Sequence, residues 1–333
     1  MRETLKLYVP GAQNLRIVAI GGGHGLSTML RGLKRYTREI TAVVTVADDG
    51  GGSGTLREEL GILPPGDIRN CILALANTEP TMEQLLDYRF TEGSLAGQSF
   101  GNLFLAAMNG ISGSFDEAVH RMGDVLAITG RVLPVTNQNV RLEAEFANGS
   151  RVLGESKIFY AKKVNDCRIR QVRLVPEHPQ PLPESLEAIA QADLILLGPG
   201  SLYTSIIPNL LVEGVAEAIA RSRAMKILVM NILTQDGETE SYTGADHVRA
   251  LLHHGAPGII DVCIANNAVL PEETLIPYRQ EGVEPLRLDR EGIEALGIAV
   301  REYPLALAGR YVRHDPDALA SAIMEVYRQN RLA

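Results

Sequence analysis

Short apolar runs alternate with longer stretches of helical periodicity along this chain. Leu15–Ile20 predicts a strand, and it ends in Gly21-Gly22-Gly23-His24-Gly25. Just beyond, Leu26, Met29, Leu30 and Leu33 fall on one helical face. Ile40–Val46 predicts a second, β-branched strand, followed by Ala47-Asp48-Asp49 and then Gly50-Gly51-Gly52-Ser53-Gly54. The arrangement recurs three times: Ala192–Leu197 leads into Gly198-Pro199-Gly200-Ser201, Lys226–Met230 into Asn231, and Ile259–Ala265 into Asn266-Asn267. Strands that alternate with helices predict βαβ units, hence an α/β fold with a mostly parallel, doubly wound sheet.

The middle of the chain changes period. Val140, Leu142, Ala144 and Phe146 alternate with polar residues up to an Asn148-Gly149-Ser150 turn, and Ile169, Val172 and Leu174 continue less cleanly. Period two predicts an antiparallel β insertion over residues 131–176 of an otherwise parallel domain spanning 14–329. Pro176 to Pro183 reads as a connector back to the parallel sheet. Residues 71–126 read as helical, broken by turns at Gly93–Gly101 and Gly110–Gly113, with Asn102 just past the first. A last helix is expected over Pro316–Arg328, with Asp315 as its N-cap.

Composition narrows the function classes. The 333 residues are 45% hydrophobic and 22% charged, which supports a buried core. Lys and Arg total 32 against 40 Asp and Glu, a net charge of −8. An acidic chain lacks the basic face of a nucleic-acid binder and is repelled by anionic lipid. No apolar run approaches the ~18 residues of a membrane span, and the amino terminus does not read as a signal peptide. Cys71, Cys167 and Cys263 lie far apart with no metal-ligand spacing, as expected of inert thiols in a reduced, cytoplasmic interior. A homo-oligomer is expected.

The candidate chemistry lies in the loops. In an open α/β sheet, ligands bind beyond the carboxyl ends of the strands. One Gly- or Asn-bearing turn is explained by backbone needs alone. Five on one edge outline a cleft. Gly22, Gly23, Gly25 and Ser27 form a phosphate-type loop at a helix start. It is not the GxGxxG fingerprint, because Leu26 stands where the third Gly belongs, and no Walker A sequence occurs. Asp48 and Asp49 are candidates for ribose or Mg²⁺, with Asp49 the metal candidate. Gly51 and Ser53 begin a second anion nest. Asp67 reads as the N-cap of the next helix, with Arg69 and Asn70 one turn from the cleft; the plainer alternative for Arg69 is a solvated surface charge. Gly200, Ser201 and Thr204 form a third junction, and Asn231, Asn266 and Asn102 complete the polar set. The surroundings of Ser201 do not match a GxSxG elbow. His247, His253 and His254 read as helix-surface residues.

Five segments resemble one family. GGGHGLSTMLRGLK (21–34), DDGGGSGTLREELGILPPGDIRNCILALA (48–76), GPGSLYTSIIPNLLV (198–212), NILTQDGETESYTGADHV (231–248) and RHDPDALA (313–320) are similar to the YvcK-type gluconeogenesis factors of the CofD superfamily. That resemblance implies a Rossmann-like fold, a cytoplasmic protein, and binding of UDP-sugars such as UDP-N-acetylglucosamine. It implies a role in cell-wall synthesis and cell shape on gluconeogenic carbon sources, with cell-wall or morphogenesis proteins as partners. It brings no established catalytic activity. The CofD branch instead implies a Mg²⁺-dependent transfer of phospholactyl from a nucleotide diphosphate donor. Three positions depart from the family pattern: His24 in place of Thr, and Gly52 and Thr55 in place of Ser and Arg. In the family a Tyr and an Arg near the carboxyl end are implicated in ligand binding, matched here by Tyr278 and Arg313.

Overall fold

The computed structural model describes residues 14–309 and 311–332. The reading against a signal peptide falls largely on residues 1–13, outside the described residues. Twelve strands are assigned among the described residues: β1 (Ile17–Gly21), β2 (Ile40–Val44), β3 (Arg131–Pro134), β4 (Arg141–Phe146), β5 (Arg151–Leu153), β6 (Ile169–Val175), β7 (Leu194–Leu197), β8 (Met225–Val229), β9 (Val262–Asn266), β10 (Ala299–Tyr303), β11 (Ala306–Ala308) and β12 (Val312–His314). Seven of them form one sheet in the order β10-β9-β8-β7-β1-β2-β3, and every pair in it is parallel. This is the Rossmann-like doubly wound sheet expected.

The central strands are almost wholly apolar, with Thr41 and Lys226 as buried exceptions, because helices cover both faces. β1, β2, β7 and β8 are buried at every residue, as a two-sided parallel sheet requires. On one side, α1 (Gly23–Leu33) packs between α3 and the last helix, Pro316–Leu332; α2 spans Gly51–Leu60 and α3 spans Gly66–Leu75. Gly32 lets the last helix approach α1: a Cβ there would lie 2.0 Å from the Pro316 carbonyl oxygen. Asp315 caps that helix as expected, its Oδ1 accepting the Asp317 and Ala318 N–H groups. The helical stretch continues through α4 (Pro80–Asp87), α5 (Phe100–Gly110) and α6 (Phe115–Val125).

The antiparallel insertion is smaller than the sequence suggests. Arg131–Pro134 is β3, an edge strand of the main sheet that pairs in parallel with β2. The antiparallel part starts at Arg141 and is a three-stranded sheet, β5-β4-β6. An edge strand exposes one face, so its buried and exposed residues alternate just as in a half-buried antiparallel strand. The Asn148-Gly149-Ser150 turn forms as expected, with Asn148 Oδ1 accepting the Ser150 N–H at 3.0 Å.

After β5 the chain forms α7 (Glu155–Asn165), which braces two loops of the main domain. Its Ser156 N–H donates to Asp49 Oδ1 at 2.8 Å. Lys162 pairs with Glu240 at 3.2 Å and Lys163 with Asp236 at 2.6 Å. No single helix among the described residues is long and apolar enough to cross a membrane. Cys71 and Cys263 are buried, and burial pushes the Cys263 thiol up to about 12.

Candidate functional site

β1 lies between β2 and β7. The chain leaves β1 toward β2 on one side and later returns to add β7 on the other, so the sheet order reverses here. Such a switch point opens a crevice beyond the carboxyl ends of the strands. The loops after β1 and β7 meet across it. A Cβ on Gly25 would lie 2.4 Å from the Pro199 carbonyl oxygen, a contact only glycine permits. Asn231, after β8, locks the β7 loop with two hydrogen bonds: Gly200 N–H donates to its Oδ1 at 3.1 Å, and its Nδ2 donates to Gly200 O at 2.8 Å.

These loops enclose a cleft of about 440 Å³. Gly22, Gly23, Gly25, Gly200, Ser201, Asn231 and Arg313 all line it. Seven of the residues singled out in the sequence, from four separate segments, therefore share one space. Arg313 is delivered by β12, whose position is fixed on both sides. The Val312 N–H donates to the Tyr278 hydroxyl at 2.8 Å, and buried His314 donates from Nε2 to Met230 O at 3.1 Å. Asp315 and Asp317 are engaged elsewhere, the latter with Arg35 at 2.5 Å.

Arginines gather near the first loop despite the net charge of the chain. Desolvation, then Arg313, Arg69 and Arg31, hold the His24 pKa below its ordinary value. The amino end of α1 adds unpaired amides. Asp67 lies directly behind this loop: it accepts the Gly23 N–H, and a Cβ on Gly22 would lie 2.5 Å from its Oδ2. It is the second residue of α3 and not its N-cap, which is Pro65.

The second loop packs against the start of α3. Ser53 Oγ accepts the Gly66 N–H at 3.1 Å, and Asp48 Oδ1 accepts the Gly50 N–H at 2.9 Å. Gly51, at φ +48°, sits in the left-handed region as the first residue of α2. Here negative charge accumulates. Burial raises the Asp67 carboxyl to about 7, with Asp48 adding to it. Burial and the neighbouring Asp48, Glu238, Asp49 and Asp67 raise Glu155 to about 8. Thr55, where the family has Arg, is exposed and donates to Gly51 O. Arg57 is buried instead, donating to Asp48 O at 3.2 Å and to Asn139 and Val140, just before β4.

Other candidates are held away from the cleft. Ser27 is buried in α1 and donates to His24 O at 3.0 Å. Asn70 Oδ1 accepts from Arg69 at 2.7 Å. Arg69 is no surface charge: it is buried between α3 and α4, and its guanidinium donates to Leu86 O at 3.3 Å. Asn102 is buried at the start of α5, its N–H donating to Ser99 Oγ. Asn266 Oδ1 accepts the Leu305 and Ala306 N–H groups, each at 2.9 Å, and shapes the approach to β11. Tyr278 lines a neighbouring recess of about 460 Å³ that shares Leu233, Thr234 and Gln235 with the cleft. His247 and His254 are not surface residues either. His247 is buried, and His254 joins the helix Gly244–His254 to β6: its Nδ1 donates to Ala250 O within that helix while its Nε2 accepts the Val172 N–H.

The family model described as 2-phospho-L-lactate transferase CofD matches residues 17–306. The chain belongs to the CofD family. Its relatives place it among the gluconeogenesis factors within that family. A Thermoanaerobacterium thermosulfurigenes protein is 56% identical over 310 residues, covering 93% of this chain and 96% of that one. The gluconeogenesis factor of Bacillus subtilis is 46% identical over 320 residues, covering 95% and 99%. A crystal structure of a UPF0052-family protein from Bacillus halodurans superposes with a TM-score of 0.90 at 44% identity, covering 93% of this chain and 98% of that one. In this CofD-family chain the cleft also takes Thr28 and Ser205, hydroxyl donors of the first and third loops, together with Gln235 and His314, which sequence reasoning did not single out. Gln235 and His314 stand inside quoted segments, but no spacing rule distinguishes a lining residue from its neighbours there.

Proposed function

We propose that this gluconeogenesis factor is a cytoplasmic regulatory protein that binds a nucleotide sugar of the UDP-N-acetylglucosamine or UDP-glucose class in the switch-point cleft. The observation that carries this reading is the convergence of the Gly22–Gly25 loop, the Gly200–Ser201 loop and Arg313 on one space. Unpaired amides at the start of α1 and the Arg313 guanidinium suit a diphosphate. The recess beside Tyr278, contiguous through Leu233, Thr234 and Gln235, offers room for the remainder of the ligand. Through its family resemblance the proposal extends to cell-wall synthesis and cell shape on gluconeogenic carbon sources, with morphogenesis proteins reading the occupied state. The test is a thermal-shift comparison. UDP-N-acetylglucosamine is expected to raise the melting temperature and NADH to leave it unchanged; the reverse order rejects the reading.

One observation favours a second reading, a CofD-type Mg²⁺-dependent transferase. Asp48, Asp67 and Glu155 are crowded enough that burial and mutual repulsion raise all three, and a divalent cation relieves such crowding. Among the described residues no three His, Cys, Asp or Glu side chains form a closed metal cage. Mg²⁺ normally takes only one or two carboxylates and completes its shell with phosphate and water, so the donors fit. Asp48 and Asp67 would hold it, where it would neutralise charge on a diphosphate donor. Asp49 is less free, since its Oδ1 already anchors α7. Release of nucleotide from an activated phospholactate analogue in the presence of Mg²⁺ would favour this reading over the regulator.

A further inference from the structure

The helix after β7 opens as a wide turn over Leu202–Ile206 and continues through Leu210. Its first accepting carbonyl is that of Ser201, which takes the Ser205 and Ile206 N–H groups at 2.9 and 3.0 Å. The amides before Ser205 have no helical partner and form the positive end of the helix. In a strand–glycine–helix junction this is where a phosphate binds. Here the chain fills the place itself. The Glu238 carboxylate accepts the Tyr203 N–H at 3.3 Å, together with the Leu202 N–H and the Thr204 hydroxyl. Glu238 is only 3% exposed.

A tight turn holds it there. Thr239 N–H donates to Gln235 O at 2.9 Å, and Gln235 N–H donates to Thr239 Oγ1 at 2.9 Å. The same turn points Gln235 into the cleft, where its Oε1 accepts the Ser201 hydroxyl at 2.8 Å. The helix on the other side of the crevice is treated differently. At α1 the Asp67 carboxyl takes the Gly23 amide alone, while Arg313, Arg69 and Arg31 lie near enough to His24 to lower its pKa. The two junctions look alike in sequence, and a buried carboxyl meets both, taking two amides at the helix after β7 and one at α1.

We propose that the Glu238 carboxyl is a built-in acceptor that closes the amino end of the helix after β7 to phosphate, and so confines the phosphates of a ligand to the Gly22–Gly25 loop across the cleft. Glu238 is thus a positioning residue, and Thr204 serves it and not the ligand. Only the second half of the proposal rests on the nucleotide-sugar reading. The first half concerns this chain's own carboxylate and any phosphate.

The test is anion rescue of Glu238→Ala, with inorganic phosphate as the probe and sodium chloride of matched ionic strength as the reference. Wild-type protein sets the baseline shift in melting temperature. The vacated junction of Glu238→Ala is expected to take up phosphate, so its midpoint should rise about 5 °C more than wild type in ~50 mM phosphate. Glu238→Gln still fills the space with an acceptor and is expected to follow wild type. Equal phosphate shifts in Glu238→Ala and wild type overturn the proposal. So does a Glu238→Ala chain that stays unfolded in phosphate, or a Glu238→Gln chain that gains the same rescue as Glu238→Ala. Absence of a UDP-N-acetylglucosamine shift in wild type rejects the nucleotide-sugar reading alone and leaves the rescue result standing.

Discussion

The hydroxyl of Tyr278 accepts the backbone N–H of Val312 at 2.8 Å, which fixes the strand position immediately before Arg313. Tyr278 therefore acts on the cleft through backbone placement, from a recess of its own. Removing the hydroxyl alone, in Tyr278→Phe, should cost about 1 kcal/mol, the usual worth of one hydrogen bond. UDP-N-acetylglucosamine should bind roughly fivefold more weakly, as read by calorimetry. Unchanged affinity in Tyr278→Phe alongside lost affinity in Tyr278→Ala would instead assign Tyr278 to direct ring contact.

Arg313 is the arginine among the cleft-lining residues. Charge-assisted bonds from a guanidinium to phosphate are worth about 1.5–3 kcal/mol. Arg313→Ala should weaken nucleotide-sugar binding at least about tenfold while the melting temperature of the ligand-free protein stays close to wild type. An unchanged dissociation constant in the folded variant removes Arg313 from the site.

Gly25 is where the first loop meets the third. A methyl group there would press on the Pro199 backbone at 2.4 Å, and backbone cannot swing aside. Gly25→Ala should destabilise the fold by about 1–3 kcal/mol and abolish ligand binding, because the two walls of the cleft must part. Urea unfolding and the thermal-shift response report both effects. A variant with wild-type stability would show that the loops do not touch.

Acid should loosen the join between the helix Gly244–His254 and the antiparallel sheet. His254 is held neutral: burial lowers its pKa to about 4, and its Nε2 must stay unprotonated to accept the Val172 N–H. The unfolded chain, with an ordinary histidine near 6.5, binds the proton more readily. The stabilisation is therefore complete above pH ~6.5 and is lost as pH falls toward 4, by about 2 kcal/mol at pH 5. Urea midpoints of wild type and His254→Gln should differ clearly at pH 7 and converge near pH 4.5. A gap that stays constant with pH would mean that His254 is not held neutral.

The parallel sheet and its loops could be read in advance because their signals are local. A buried central strand must be apolar at nearly every position, and a strand-to-helix turn that approaches another backbone must carry glycine. β1, β2, β7, β8 and β9 announce themselves in this way. β10 does not, since it lies at the sheet edge and its Arg301 and Glu302 are exposed. β3, at the opposite edge, alternates and resembles the insertion that follows it.

What the residues of the chain determined by themselves was therefore the α/β class, the glycine-bearing loops and their common edge. What only the tertiary structure decided was partnership: that Gly25 abuts Pro199, that Arg69 is buried under α4, and that Glu238 meets the first amides of the helix after β7. Strand and turn signals depend on neighbours a few residues away. These contacts join segments 17 to 174 residues apart, and which amides remain open to an anion follows from the carboxylates that folding brings to them.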